Sequence, residues 1–267
     1  MIRQPAVAHR FYPGNPQELA RTVKSLLPIG LTKTGKALGV VSPHAGYIYS
    51  GAMAGRTIGS VAIPRTVIIL GPNHHGRGAK AAVSTTDWQM PGGVVPCNTE
   101  IAQALIDASP LFADDELAHQ FEHSIEVQVP FLQELQPELR IVAISLSSLS
   151  YQECIEIGEA IARVIEQSAA EILILASTDM SHYESRSSAS AKDKRALDKV
   201  LALDPEGLYR TVLKERISMC GFIPVAVTLE AAVKLGATKA ELVGYTDSGA
   251  VSGDTDQVVG YAGVIIA

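Results

Sequence analysis

Val40-Val41-Ser42-Pro43-His44-Ala45-Gly46-Tyr47 sets a pattern that the chain repeats, a short apolar run that stops at a histidine. Val67-Ile68-Ile69-Leu70-Gly71-Pro72-Asn73-His74-His75 is the second instance, and Ile172-Leu173-Ile174-Leu175-Ala176-Ser177-Thr178-Asp179-Met180-Ser181-His182 is the third. Each run is rich in Val, Ile and Leu without polar alternation, the mark of a strand buried on both faces of a parallel sheet. Helices must then cover both faces, and in such sheets ligands gather in the crevice beyond the carboxyl ends of the strands. The pattern predicts an α/β protein of three layers, a central, mostly parallel mixed sheet flanked by helices, with four histidines at that crevice.

The chain has 267 residues, 47% hydrophobic and 19% charged, which predicts one large domain over residues 1–267. A net charge of −6 excludes the basic surface that nucleic acid or anionic lipid would need. The first residues carry neither a basic n-region nor an apolar h-region, and no window approaches the ~18 apolar residues of a membrane span. The expectation is a soluble, cytoplasmic protein with a small-molecule site. Cys97, Cys154 and Cys220 are odd in number, far apart and without a C-x-x-C pair, which fits a reducing compartment and argues against a disulfide framework or zinc knuckle.

Residues 1–13, with an apolar patch, Phe11-Tyr12 and two prolines, read as an extended arm packed on the domain, and His9 within it as a surface or packing histidine. Asn15-Pro16 opens a helix through Leu27, closed by the loop Gly30 to Lys36. His44 lies in a turn made rigid by Pro43, and is read either as a metal ligand or acid/base group or as a hydrogen-bonded loop residue. Gly71 to Gly76 is a turn that directs one of His74 and His75 into the crevice and the other away. It lacks the G-x-x-x-x-G-K-[ST] and G-x-G-x-x-G patterns, so a metal is favoured over a nucleotide.

Lys80 through Trp88 is strand-like, and Asn98 or Thr99 caps a helix to about Ala108, with Cys97 structural. In Glu122-His123-Ser124-Ile125-Glu126, a helix would place His123 and Glu126 on one face, to orient a ring or supply a carboxylate. The competing reading is a helix start favoured by acidic residues at its positive end. His123 is set at the rim of the pocket in either case. Leu139 to Leu146 is a strand, and Ser150 and Glu153 form a capping box for a helix through about Gln167 in which Cys154 packs. Asp179, three residues before His182 in a turn, is expected to hold the imidazole's other nitrogen, giving a base and its orienter. Helices follow over 188–235. Cys220-Gly221 near a helix start is either a stabilised thiolate or a buried thiol. Two strands, Glu241 to Thr246 and Gln257 to Ile266, close the chain, joined by a Gly- and Ser-rich loop read as a lid or an exposed connection.

Taken together, Arg3 to Ala8 with Phe11-Tyr12-Pro13, Pro43 to Tyr47, Leu70 to His75, Glu122 to Glu126, Ser177-Thr178-Asp179 with His182, and Cys220-Gly221 resemble the Memo family. Its bacterial and archaeal members are often called AmmeMemoRadiSam system protein B. The segments span nearly the whole chain in the family's order; His9 stands where the family pattern leads one to expect glycine. The family is similar in fold to class III extradiol dioxygenases, non-haem Fe(II) enzymes that open catechol rings with two histidines and one carboxylate on iron. The resemblance implies His44, His74 and Cys220 as metal ligands, with the cysteine in place of the carboxylate. It implies His182 as acid/base, with His123 and Asp179 as polar supports. Fe(II) is the implied ion, with copper or zinc as alternatives, and the implied activity is a metal-dependent redox reaction of dioxygenase type. The competing expectation is a non-catalytic metal- or ligand-binding protein that works with a radical-SAM partner. A small, phenolic substrate and association with a second copy of the chain are the remaining partner expectations. A zinc hydrolase is disfavoured, since H-E-x-x-H and G-x-S-x-G are both absent.

Overall fold

The computed structural model describes residues 2–28 and 36–267, so the loop expected over 30–36 falls outside the described residues except for Lys36. In chain order the elements are β1 (Ile2–Arg3), α1 (Pro16–Leu26), β2 (Gly39–Ser42), α2 (Tyr47–Gly59), β3 (Thr66–Pro72), β4 (Ala81–Val83), β5 (Asp87–Met90), β6 (Gly93–Val95), α3 (Thr99–Ala108) and β7 (Phe112–Asp114). A 3-10 turn (Glu126–Gln128) leads into α4 (Val129–Leu135), followed by β8 (Arg140–Leu146), α5 (Tyr151–Gln167), β9 (Ile172–Ser177), β10 (His182–Glu184) and α6 (Arg186–Leu201). The chain ends with α7 (Pro205–Glu215), α8 (Phe222–Lys234), β11 (Ala240–Asp247), α9 (Gly249–Ser252) and β12 (Val258–Ile266).

The expected fold class is the one found. The strands that end at histidines lie side by side and parallel, in the order β2, β9, β3, with β8 beyond β3. Antiparallel β12 and β4 flank this parallel centre, which makes the sheet mixed. Every residue of β3 is buried. Val67 and Ile69 join one apolar layer with Ile58 of α2 and Phe131 of α4, whereas Ile68 and Leu70 join the opposite layer with Leu105 of α3 and Ile157 of α5. A third cluster packs α6, α7 and α8 against Val41, Ala176 and Val264. Each such side chain contributes roughly 1.5–3 kcal/mol through removal of apolar area from water, so two-sided burial fixes the strand order that delivers the histidines.

Local signals hold where a side chain caps a helix. Asn15 accepts from the Glu18 amide, Asn98 from that of Ile101, and Ser150 and Glu153 form the reciprocal capping box of α5. The segment around His123 departs from expectation. Residues 122–125 are not helical, and the helix begins only after the 3-10 turn. The loop read as a lid or an exposed connection contains the short α9 and is exposed over residues 250–257, with a bidentate pair between Arg186 and Asp247 at its start.

The N-terminal arm is packed as expected, and β1 pairs with β5 in a small separate sheet. Arg3 donates to Glu126 at 2.6 Å and lies 4.0 Å above the Trp88 ring. Glu126, fully buried, also accepts from the Ala6 and Val7 amides and the Tyr12 hydroxyl. His9 takes up a left-handed backbone (φ 67°), the conformation in which a glycine would be at ease. Among the described residues, no helix is long and apolar enough to cross a membrane.

Candidate metal centre

The register of the parallel strands brings their ends level. Ser42 of β2 pairs with Ser177 of β9, and Leu70 of β3 with Ala176, so the following loops open into one crevice. His44, His74 and His123 converge there, with one ligand atom of each within 4.8 Å of the others. Their rings are 5.2 Å (44–74), 5.4 Å (44–123) and 4.6 Å (74–123) apart between centroids, the last pair stacked. His123 thus belongs to the cluster rather than to the rim where the sequence reading set it.

His44 is buried, and its tautomer follows from its neighbours. Ser177 Oγ uses its proton on the Ser124 carbonyl at 2.6 Å and accepts from Gln128 Nε2 at 2.8 Å. The Gln128 amide is itself oriented by the Pro43 carbonyl, which takes its N–H. His44 Nδ1, 2.9 Å from Ser177 Oγ, must therefore carry the hydrogen, which leaves the Nε2 lone pair facing the crevice.

His74 is set by Glu122. The carboxylate accepts from the His74 amide at 2.6 Å and from Nδ1 at 2.9 Å, so Nε2 of His74 is also bare. The same carboxylate accepts from the amides of His123 and Ser124, which folds the 122–124 segment around the ring it holds. Burial acts to raise the Glu122 pKa, but the hydrogen bond from His74, the charges of His74 and His123 and the Ser124 amide outweigh it and hold the group ionised. His75 points away, with its Nε2 on the Phe121 carbonyl, so the pair divides as its turn suggested. Phe11 of the arm covers His123 at 4.7 Å.

Cys220 meets the cluster through His44, its Sγ 3.3 Å from Nε2. Gly221 makes this approach possible, because a Cβ there would lie 2.4 Å from the Ser177 carbonyl oxygen, and its amide bonds Thr178 Oγ1. The pairing expected between Asp179 and His182 is not formed. Asp179 Oδ1 accepts from the His44 amide at 2.8 Å, and its own amide donates to Cys220 Sγ. Burial pushes the Asp179 carboxyl up to about 6, while the His44 amide and the charge of His182 oppose the shift. The orienter of His182 is Ser218, whose carbonyl takes Nδ1 at 2.9 Å and whose hydroxyl takes the amide. That leaves Nε2 of His182 without a hydrogen-bond partner among the described residues. Sequence reasoning missed Ser177, Gln128 and Ser218, since small polar residues in loops and strand ends carry no periodic signal.

The donors suit a metal ion. Burial, then the neighbouring His123 and His74, keeps His44 well below its ordinary pKa, and burial with His74 and His75 brings His123 to about 4 despite Glu122. Crowded imidazoles form a donor set that could bind a cation, with His44 oriented from behind by the Ser177 hydroxyl and His74 by the Glu122 carboxylate. Burial raises the Cys220 thiol, so at neutral pH it retains its proton until a cation displaces it.

Fold and site define a three-layer α/β protein with a three-histidine cluster at the carboxyl ends of its parallel strands. The family model described as "Memo-like protein" matches residues 3–265, and the chain belongs to that family. It is 39% identical to a MEMO1 family protein of Methanosarcina barkeri, covering 99% of this chain and 100% of that one. It is 42% identical to a MEMO1 family protein of Methanopyrus kandleri, covering 99% of each. Among solved structures, an uncharacterized Escherichia coli K12 protein superposes with TM-score 0.60 at 14% identity, over 87% of this chain and all of that chain, and shares the fold.

Proposed function

We propose that the chain is a mononuclear metal-dependent oxidoreductase that binds Fe(II) through His44, His74 and His123, with the Cys220 sulfur beside them, and acts on a small phenolic substrate. The observation that carries this reading is the convergence of His44, His74 and His123 in one crevice, with one ligand atom of each within 4.8 Å of the others. Iron held there supplies Lewis-acid and one-electron chemistry. His182, with its Nδ1 proton committed to Ser218, presents Nε2 to take a proton from a substrate hydroxyl. Phe11 covers His123 and the buried strand ends enclose His44, whereas His74 stays open to solvent and to an approaching substrate. Asp179 fixes the His44 loop against β9 and so holds the distance between His44 and Cys220.

Metal analysis of protein purified without air tests the reading. About one iron per wild-type chain is expected, with loss in His74→Ala and His123→Ala. Equal metal content in all three proteins would remove it. Oxygen uptake with a series of catechols then separates turnover from metal holding alone.

A further inference from the structure

Tyr183 combines two unfavourable features on the His182 side of the crevice. Its backbone is left-handed (φ 57°), which bulky L-residues avoid, and its ring is 73% exposed to water. Neither feature helps the chain to fold. The ring lies edge-on to that of His182, with centroids 5.9 Å apart.

Beside it runs the last strand. The Met180 amide donates to the Gly260 carbonyl and the Gly260 amide to that of Ser181, while His182 pairs with Val259, which sets Tyr261 alongside Asp179 and Met180. Gly260 faces α6, since a Cβ there would lie 2.2 Å from Asp193 Oδ2. The pleat therefore turns Tyr261 to the other face, where Gly263 meets Thr57 of α2. Tyr261 is 2% exposed, and its hydroxyl makes no hydrogen bond within the described residues yet is not one of their wholly buried unpartnered atoms, so the surface the residue keeps is at the oxygen. The strand that carries Tyr261 pairs with Met180 and Ser181, the residues that follow Asp179, whose carboxylate holds the His44 loop, so Tyr261 stands at the edge of the crevice. Burial keeps it protonated, hence a donor. A phenol hydroxyl that reaches the edge of the crevice is a donor that a ligand oxygen can take over from water. Arg186, three residues beyond Tyr183, is engaged by both oxygens of Asp247, so this wall offers an anionic group no free guanidinium from that position.

We infer that Tyr183 and Tyr261 form a specificity-determining wall that takes an uncharged, planar hydroxyaromatic ligand, Tyr183 against the ring and the Tyr261 hydroxyl on a ring oxygen. The inference rests on the reading of this crevice as the substrate site.

Calorimetric titration of 4-methylcatechol and of trans-cyclohexane-1,2-diol, into the metal-loaded chain and into the same chain after chelation, tests it with Tyr183→Asn and Tyr261→Phe. Wild type should prefer the catechol about tenfold, as stacking requires. Tyr183→Asn should lose about that factor while its melting temperature rises by roughly 2 °C, because Asn tolerates the left-handed backbone. Tyr261→Phe should lose about fivefold, one hydrogen bond's worth, with its melting temperature unchanged. Equal catechol affinity in wild type and both variants overturns the wall, as does a wild type that binds the saturated diol equally well. A wild type without metal would instead defeat the proposed function, and the chelated series would still decide the wall.

Discussion

His44 Nδ1 donates to Ser177 Oγ across 2.9 Å, and this bond decides which imidazole nitrogen faces the crevice. Ser177 holds that role because its own proton is fixed on the Ser124 carbonyl. Ser177→Ala should strand Nδ1 of His44 and the Gln128 amide, with a stability loss of about 1–3 kcal/mol. Metal affinity should fall on the order of tenfold, because the ring can then adopt the other tautomer. Chelator competition and urea unfolding read the two effects, and unchanged affinity would show that the tautomer is fixed elsewhere.

Glu122 is a second such support. It collects the amides of His74, His123 and Ser124 as well as His74 Nδ1. Glu122→Gln turns one of its oxygens into a donor that faces another donor, so a metal-affinity loss of roughly 10–100-fold is expected. Iron retention through dialysis against a weak chelator measures it. Retention equal to wild type would remove Glu122 from the orientation of His74.

Arg3 and Glu126 tie the arm to the site. Glu126 is fully buried, and Arg3→Ala would leave its carboxylate with an amide pair and a phenol but no opposing charge. A loss of about 3–5 kcal/mol is expected, larger than for the double variant Arg3→Met, Glu126→Gln. Denaturant midpoints of the two variants make the comparison. Near-UV dichroism should also report the arm loosening where Arg3 lies on Trp88.

His119, away from the crevice, makes the metal-free protein sensitive to acid. It is fully buried with Nε2 on the Ala82 carbonyl. Burial, reinforced by Arg3 and opposed by Glu116, depresses its pKa to about 4. The unfolded chain therefore binds a proton that the folded one refuses between about pH 6.5 and 4, and stability falls as pH drops through that window. At pH 5 the loss from this group is about 2 kcal/mol. Thermal melts of chelated His119→Gln should show a shallower fall from pH 7 to 5 than wild type; parallel curves would exonerate the ring.

The sheet was legible because two-sided burial leaves unbroken apolar runs, and a histidine at the end of such a run can only stand at the crevice. His44, His74 and His182 were found that way. His123 was harder, since its position depends on a carboxylate next to it in sequence wrapping back on His74, and the helical reading of 122–126 put the two on the wrong geometry. Asp179 was misread as the partner of His182 because spacing in a turn does not reveal that Ser218, 36 positions beyond His182, reaches the ring first. Cys220 had no decisive local mark. The family resemblance singled it out, and its contact with His44 spans 176 positions.

That span has a temporal side. On a ribosome the three imidazoles emerge by residue 123, Ser177 much later, and the sulfur later still, with β12 after it. An unfinished chain would present histidines with unselected tautomers and no thiol, a loose chelator for whatever cation is at hand. Were the site to take a metal, selective loading would belong to the released, folded protein, and the supply of metal during synthesis would become a hazard in its own right.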